Sequence, residues 1–250
     1  QDIIHVTKYA RYIEDKKRRE SWEETVTRYM DYMTTKVDIK GKYKELHRAR
    51  LNQEVMPSMR LLMTAGEACE RDNIAAFNCA YVAMGSKRAF SEVLYILMNG
   101  TGVGFSNERD VISKLPTIPK LEKSDDVIVV ADSKKGWAIA FRKLMSSLWE
   151  GDIPTIDYSK VRPAGERLKT FGGRASGPKP LRNLFEFVTK TFEGAQGRKL
   201  NSLEVHDTVC MIGDIVVVGG VRRSALIGLS NLTDNRMRDA KTGQWYLPVE

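Results

Sequence analysis

The feature that most constrains this chain is a change of texture at Met56-Pro57. Before it, Tyr9, Ile13, Trp22, Val26, Tyr29 and Met33 recur mostly at three- and four-residue steps among many charges, which predicts two or three amphipathic helices over residues 7–55. After it, short apolar runs alternate with helical stretches and are punctuated by glycine. Residues 77–84 read as a strand, 90–98 as a helix, and Gly100-Thr101-Gly102-Val103-Gly104-Phe105 as a turn feeding a second strand. A charged connection over 117–135 holds a short strand at 127–130, a helix spans 136–149, and another strand starts at Asp157. Helices over 181–192 and 202–218 lead to Gly219-Gly220 and a strand at 225–229. Alternating β and α segments joined by glycine turns predict a mostly parallel α/β architecture, residues 56–250, behind a helical amino-terminal region, residues 1–55.

Composition narrows the classes. A chain of 250 residues, 42% hydrophobic and 29% charged, can bury a sizeable core and is neither disordered nor collagen-like. No window approaches the ~20 apolar residues of a membrane helix, and the first residues lack an export pattern, so the expectation is a cytoplasmic protein without a membrane partner. Cys69, Cys79 and Cys210 are far apart with no CxxC pair, which argues against a disulfide framework or a cysteine-rich zinc site. His5, His47 and His206 show no metal-ligand spacing and read as structural or surface residues, so no metal site is expected. The net charge of +8 is uneven, with ten Lys/Arg against three Glu between Lys160 and Lys199. A basic balance favours anionic partners, whether nucleic acid, an anionic surface or a small polyphosphate. Nothing beyond charge supports direct nucleic-acid binding.

Three loops carry possible chemistry. Gly100-Thr101-Gly102-Val103-Gly104 fails as a dinucleotide fingerprint, because the third glycine of GxGxxG would fall at Phe105; it reads as a tight bend, although glycine also lets a ligand approach the main chain. Phe171-Gly172-Gly173-Arg174-Ala175-Ser176-Gly177-Pro178-Lys179-Pro180 runs into an apolar-periodic helix, with prolines where a first turn accepts them. Unpaired N–H groups at that helix start, with Arg174 and Lys179, suit a phosphate. Gly219-Gly220-Val221-Arg222-Arg223-Ser224 follows a helix containing Asp207, Cys210 and Asp214 and places two arginines on a hinge-like double glycine, where they could reach a phosphate or stack on a base. Cys79, in Phe77-Asn78-Cys79-Ala80-Tyr81, is by itself as well explained by packing as by chemistry.

The order of these pieces carries a resemblance. Met56-Pro57-Ser58-Met59-Arg60, Asn78-Cys79, Gly100–Gly104, Arg162-Pro163-Ala164-Gly165, the 171–180 loop and Gly219-Gly220-Val221-Arg222-Arg223-Ser224-Ala225 occur in the order and rough spacing of ribonucleotide reductase catalytic subunits. The chain is most similar to the amino-terminal half of the adenosylcobalamin-dependent (class II) type, over roughly residues 50–247.

The resemblance implies a ten-stranded α/β barrel, of which this chain supplies a helical cap and a first half of about five parallel strands. It implies reduction of ribonucleotides to deoxyribonucleotides by thiyl-radical chemistry with a redox cysteine pair. Cys79 would be one reducing thiol, Asn78 would approach the ribose, Ser58 would help hold the substrate phosphates, and the main chain at Thr101-Gly102 would face the ribose hydroxyls. Arg174, Ala175, Ser176, Gly177 and Lys179, with Ser86, would bind a dNTP effector. Gly219, Gly220, Val221, Arg222, Arg223 and Ser224 would form the second specificity loop, relaying effector identity to the substrate base. The implied cofactor is adenosylcobalamin, the alternative being a radical delivered by a separate dimetal subunit. The implied partners are the ribonucleotide substrate, the dNTP effector, the remaining carboxy-terminal half and a dithiol reductant such as thioredoxin. The radical cysteine and second redox cysteine would lie beyond Glu250, so this piece alone is expected to be inactive. Where relatives carry an acidic residue toward the effector ribose, this chain reads Gly85-Ser86-Lys87-Arg88, which puts that contact in doubt. Only about twenty residues separate Cys79 from Gly100, so a long insertion that allows some members to act as monomers reads as absent, and a homodimer is expected. A competing class is a catalytically inert nucleotide-sensing module that keeps the dNTP site.

Overall fold

The computed structural model describes residues 2–166, 175–218 and 225–242. The chain forms two compact units, residues 1–78 and 79–250.

In the first unit, α1 (Asp2–Ile4) continues into a π-helical turn (His5–Tyr9), followed by an antiparallel pair, β1 (Tyr12–Ile13) and β2 (Arg18–Arg19). The basic run Lys16–Arg19 occupies this hairpin, where Lys16 and Arg18 both pair with Glu24 at 2.6 and 2.7 Å. Helix α2 (Trp22–Thr34) starts at a capping box: the Glu24 N–H donates to the Ser21 hydroxyl at 3.2 Å, and the Ser21 N–H donates to the Glu24 carboxylate at 2.8 Å. Helix α3 (Tyr43–Leu51) follows, then the short helices α4 (Met59–Thr64) and α5 (Glu67–Arg71) and a 3-10 turn (Asn73–Ala76). Val26, Tyr29 and Met30 of α2 bury against Leu62 and Ala65. That contact draws the segment after Met56-Pro57 into the helical unit, so the units meet at 78/79, downstream of the 55/56 border read from texture.

The second unit begins with β3 (Cys79–Ala83), crosses through α6 (Lys87–Met98) to β4 (Gly102–Ser106), and later adds β7 (Leu226–Leu229) on the far side of β4. Both pairings are parallel, in the order β3-β4-β7. After α7 (Arg109–Ile112), a second parallel pair, β5 (Glu122–Val129) and β6 (Asp152–Asp157), encloses α8 (Lys134–Glu150). Helices α9 (Lys179–Glu193), α10 (Ser202–Val218) and α11 (Asn235–Asp239) complete the described elements. One core joins them: Phe90 and Leu94 of α6, Phe105 of β4, Phe141 and Leu144 of α8, Phe192 of α9 and Val205 of α10 are all fully or almost fully buried. The α/β class with parallel sheets is present. Among the described residues the five strands of this unit form a three-stranded and a two-stranded sheet.

Three elements differ from their sequence expectation. The stretch 12–19, read with the helical periodicity of residues 7–55, forms the β1-β2 hairpin instead, its Lys16 and Arg18 paired with Glu24 rather than arrayed on a helix face. Strand β5 is eight residues long rather than four, because Glu122, Lys123, Asp125 and Asp126 are exposed and only Ile128 is buried, so its apolar signal is short. Strand β6 ends at Asp157 instead of starting there, since Gly151 takes a left-handed conformation (φ 103°) at the end of α8 and the chain turns directly into the strand.

Candidate functional site

Of the expected residues, the β3-β4-β7 sheet brings Cys79 and Gly102 together. Cys79 opens β3 opposite Gly102, which opens β4, and Val103 aligns with Leu226 at the start of β7. Side chains alternate across a strand. Val82, Val103 and Phe105 therefore point into the core, while Cys79, Tyr81 and Ile227 share the other face and are exposed. Gly102 and Gly104 lie on that same face between β3 and β7, leaving a strip without side chains. A Cβ at Gly104 would stand 3.5 Å from Ile227 Cγ2 and 3.8 Å from Tyr81 Cδ2, so the strip is a shallow hollow walled by those two residues, with the Cys79 thiol at its end. Gly100, with φ 76°, stops α6: its N–H donates to the Leu97 carbonyl at 2.7 Å. Thr101 is 1% exposed and its N–H donates to the Ile96 carbonyl at 3.4 Å, so neither its side chain nor its main chain is open to a ligand, whereas Gly102 is only partly buried.

Asn78 and Ser58 belong to the first unit, and both are exposed. Ser58 caps α4, accepting from the Leu61 N–H at 3.5 Å. Ser86 likewise caps α6, accepting from the Ala89 N–H at 3.3 Å, and it follows the end of β3, the opposite edge from Cys79.

The other expected loop is described only at its base. Arg174 and the specificity-loop residues Gly219, Gly220, Val221, Arg222, Arg223 and Ser224 lie outside the described residues. Ala225, which follows them, accepts from the Val103 N–H at 2.9 Å at the edge that carries Cys79. At the base of the 171–180 loop, the Gly165 N–H donates to Ala175 O at 2.8 Å and the Ala175 N–H to Glu166 O at 2.7 Å. These two bonds form a stem in which residues 165–166 lie against Ala175. Gly177 packs against it: its φ is +71°, and a Cβ there would fall 2.9 Å from the backbone nitrogen of Ala164. Arg162 ties the stem to the segment after β5 through Asp132, at 2.7 Å. Pro178 caps α9, Pro180 sits in its first turn, and the exposed Lys179 opens the helix. The motif Arg162-Pro163-Ala164-Gly165 and the loop read as a phosphate site are thus two sides of one structure. Sequence spacing did not reveal this, although the glycine at 177 was its signal.

A third cluster went unrecognised in the sequence. On α10, His206 Nδ1 lies 3.0 Å from Asp207 Oδ1, and Cys210 Sγ lies 3.6 Å from Nε2 and 3.8 Å from Nδ1. The imidazole is backed by Phe105 of β4, ring centres 6.0 Å apart. The Cys210 sulfur, and after it the Asp207 carboxylate, outweigh burial and push His206 up to about 9. The signal available in the sequence was the i, i+4 spacing of His206 and Cys210 on one helix face.

Comparison with known proteins gives this geometry a setting. Residues 117–192 match the family model described as the insertion domain of B12-dependent ribonucleotide reductase. An adenosylcobalamin-dependent ribonucleoside-triphosphate reductase of Euglena gracilis is 27% identical over 96% of this chain and 36% of its own length. The protein of the same name from Lactobacillus helveticus is 28% identical over 94% of this chain and 41% of its own length. A solved structure titled as a B-12 dependent (class II) ribonucleotide reductase superposes with TM-score 0.83 over 97% of this chain and 43% of that one, at 22% identity. The chain spans about two-fifths of the length of these relatives. The insertion sought between Cys79 and Gly100 is matched instead at residues 117–192, covering β5, α8, β6, the loop stem and most of α9, so its expected absence is corrected.

Proposed function

We propose that this chain, which is similar over nearly its whole length to the amino-terminal part of adenosylcobalamin-dependent (class II) ribonucleotide reductases, belongs to an enzyme that reduces ribonucleoside triphosphates to deoxyribonucleotides. The observation that carries the reading is Cys79: an exposed thiol at the start of a parallel strand, at the end of a glycine-floored hollow. In this reading the hollow takes the ribose and the partly buried main chain at Gly102 meets its hydroxyls. A thiyl radical on a cysteine outside this sequence abstracts a ribose hydrogen and water leaves. Cys79 and a second thiol then give up two electrons and two protons, ending as a disulfide that an external dithiol such as thioredoxin reduces, and the abstracted hydrogen returns to the ribose, regenerating the thiyl radical. The β3-β4-β7 and β5-β6 strands are part of the first half of the barrel and its insertion.

Adenosylcobalamin supplies radical initiation when bound. The hollow beside Cys79 offers one thiol, two glycines, Tyr81 and Ile227, and no residue of this chain is assigned to the cofactor. The stem at 164–177, with Lys179 at a helix start, supports a dNTP effector at that loop. A homodimer no longer follows, because its premise was the missing insertion. We propose a single copy, and a one-subunit sedimenting mass for the full-length protein supports it, whereas a two-subunit mass overturns it.

The test of function uses protein from the complete reading frame, supplied with a ribonucleoside triphosphate, adenosylcobalamin and a dithiol. Deoxyribonucleotide formation is the expected result, and turnover only with an added dimetal subunit would replace the cofactor assignment. No turnover under either condition would overturn the enzyme reading.

A further inference from the structure

The exposed Cys210 sulfur lies almost equally far from both ring nitrogens of His206, one helical turn earlier. Two features hold the ring there. Asp207 engages Nδ1 at 3.0 Å. On the other side the ring meets β4 and β7: Phe105 is its aromatic neighbour, and a Cβ on Gly228 would stand only 3.3 Å from its Cδ2, so that glycine leaves the ring its space. The imidazole side chain is 23% exposed, with Asp207 at 49%, so solvent and small solutes reach the cluster. Because His206 is raised to about 9, the ring is a cation at neutral pH. A fixed cation beside an accessible sulfur is the environment that makes a cysteine reactive. Cys69 shows the opposite arrangement: it is buried and its thiol donates to the Thr64 hydroxyl at 3.3 Å.

We propose that Cys210, paired with His206, is a reactive thiol that forms reversible mixed disulfides with small-molecule disulfides, independently of the chemistry assigned to Cys79. In the step, the Cys210 sulfur attacks one sulfur of R–S–S–R. The R–S–S–R bond breaks, a Cys210–S–S–R bond forms, and RS⁻ leaves with the electron pair. Cys210 is oxidised to the disulfide level while half of the small disulfide is reduced to a thiolate; any proton on the attacking sulfur passes to water. The His206 cation stabilises the negative charge gathered on the attacking sulfur. Helix α10 runs to Val218, directly before residues 219–224, so the adduct sits on the element that leads into that segment.

The test treats full-length protein at pH 7 with the aromatic disulfide 5,5′-dithiobis(2-nitrobenzoate), follows release of the coloured thiolate, and resolves the rate at each cysteine by peptide mass mapping. A cation held beside the sulfur favours the charge that builds up during attack, an effect of about tenfold in rate. Cys210 is expected to react about tenfold faster than a cysteine in an unstructured reference peptide, with the adduct removed by dithiothreitol. His206→Gln is expected to bring the rate at Cys210 down to the reference, and Asp207→Asn to slow it severalfold. A Cys210 rate within twofold of the reference in the native protein, or one unchanged by His206→Gln, overturns the proposal. Should His206→Gln not fold, the native rate and the Asp207→Asn rate decide. Loss of reductase activity has no bearing on the outcome, so the two proposals fail separately.

Discussion

In the β3-β4-β7 sheet the residues of interest are set by strand parity: Cys79, Tyr81 and Ile227 project from one face across a strip of glycine, while the opposite face holds the fold together. Around β5 and β6 the counterpart is made of main chain. Two backbone hydrogen bonds and a left-handed glycine hold residues 164–166 against 175–177, and the Arg162–Asp132 pair anchors that stem. The first region separates chemistry from stability, because an exposed face can change without touching the core. The second cannot separate them, because the conformation itself is what a ligand would read.

The largest effect should come from the first region. Cys79→Ser in the full-length enzyme is expected to cut turnover with a dithiol by at least about 10³-fold, as removal of a reacting group does. Its urea midpoint should stay at the wild-type value, since the thiol is exposed. A matching loss of stability would erase the contrast between the regions. Gly177→Ala should do the reverse: a side chain at φ +71°, placed 2.9 Å from the Ala164 nitrogen, is expected to cost about 2–3 kcal/mol. Urea titration reads that cost, and binding of a deoxynucleoside triphosphate should weaken with it while turnover without effector persists. An effector affinity equal to wild type would remove the stem from the effector site.

The same division explains what could be read from sequence. The α6 stretch and β4 were legible because burial on one face gives each its period, and α10 matched the expected 202–218 because Val205, Val209, Ile212 and Val216 recur at helical steps. Strand β5 was half hidden, its exposed charges masking all but the 127–130 core. Cys79 and the glycine strip were visible as letters, but the face they share depends on the register of β3 against β4. The stem joining Gly165 to Ala175 required a chain reversal that no local pattern encodes, and the border between units required the contact of Leu62 with α2. The His206 cluster was missed for another reason. A histidine with no histidine partner looked inert, whereas its partners were a carboxylate one residue away and a thiol one turn away.

That cluster places a pH-dependent term beside the first region. His206 is raised in the fold, so its stabilising contribution is fully present below its unfolded value of about 6.5 and is lost as pH rises through about 9. After allowance for its partial exposure the contribution is roughly 1 kcal/mol. The urea midpoint should fall between pH 6.5 and 9, and Cys210→Ser should flatten most of that slope because the sulfur is the largest cause of the shift. A slope unchanged in Cys210→Ser would assign the effect to Asp207 instead.

The smallest change asks whether the glycine strip is used at all. An alanine Cβ at Gly104 meets Ile227 at 3.5 Å and Tyr81 at 3.8 Å, both ordinary contacts, and the residue is not in a left-handed conformation. Removing glycine from a strand interior should therefore leave stability unchanged or raise it by about 0.5 kcal/mol. If the hollow holds the ribose, one methyl group on its floor competes with the substrate directly, so KM should rise severalfold while kcat changes less. Equal KM in the two proteins would mean that the substrate lies elsewhere on the face, and Cys79 would then have to reach it from the strand edge alone. A raised KM with unaltered urea midpoint would place binding on the exposed face, the separation of chemistry from stability that distinguishes this sheet from the stem.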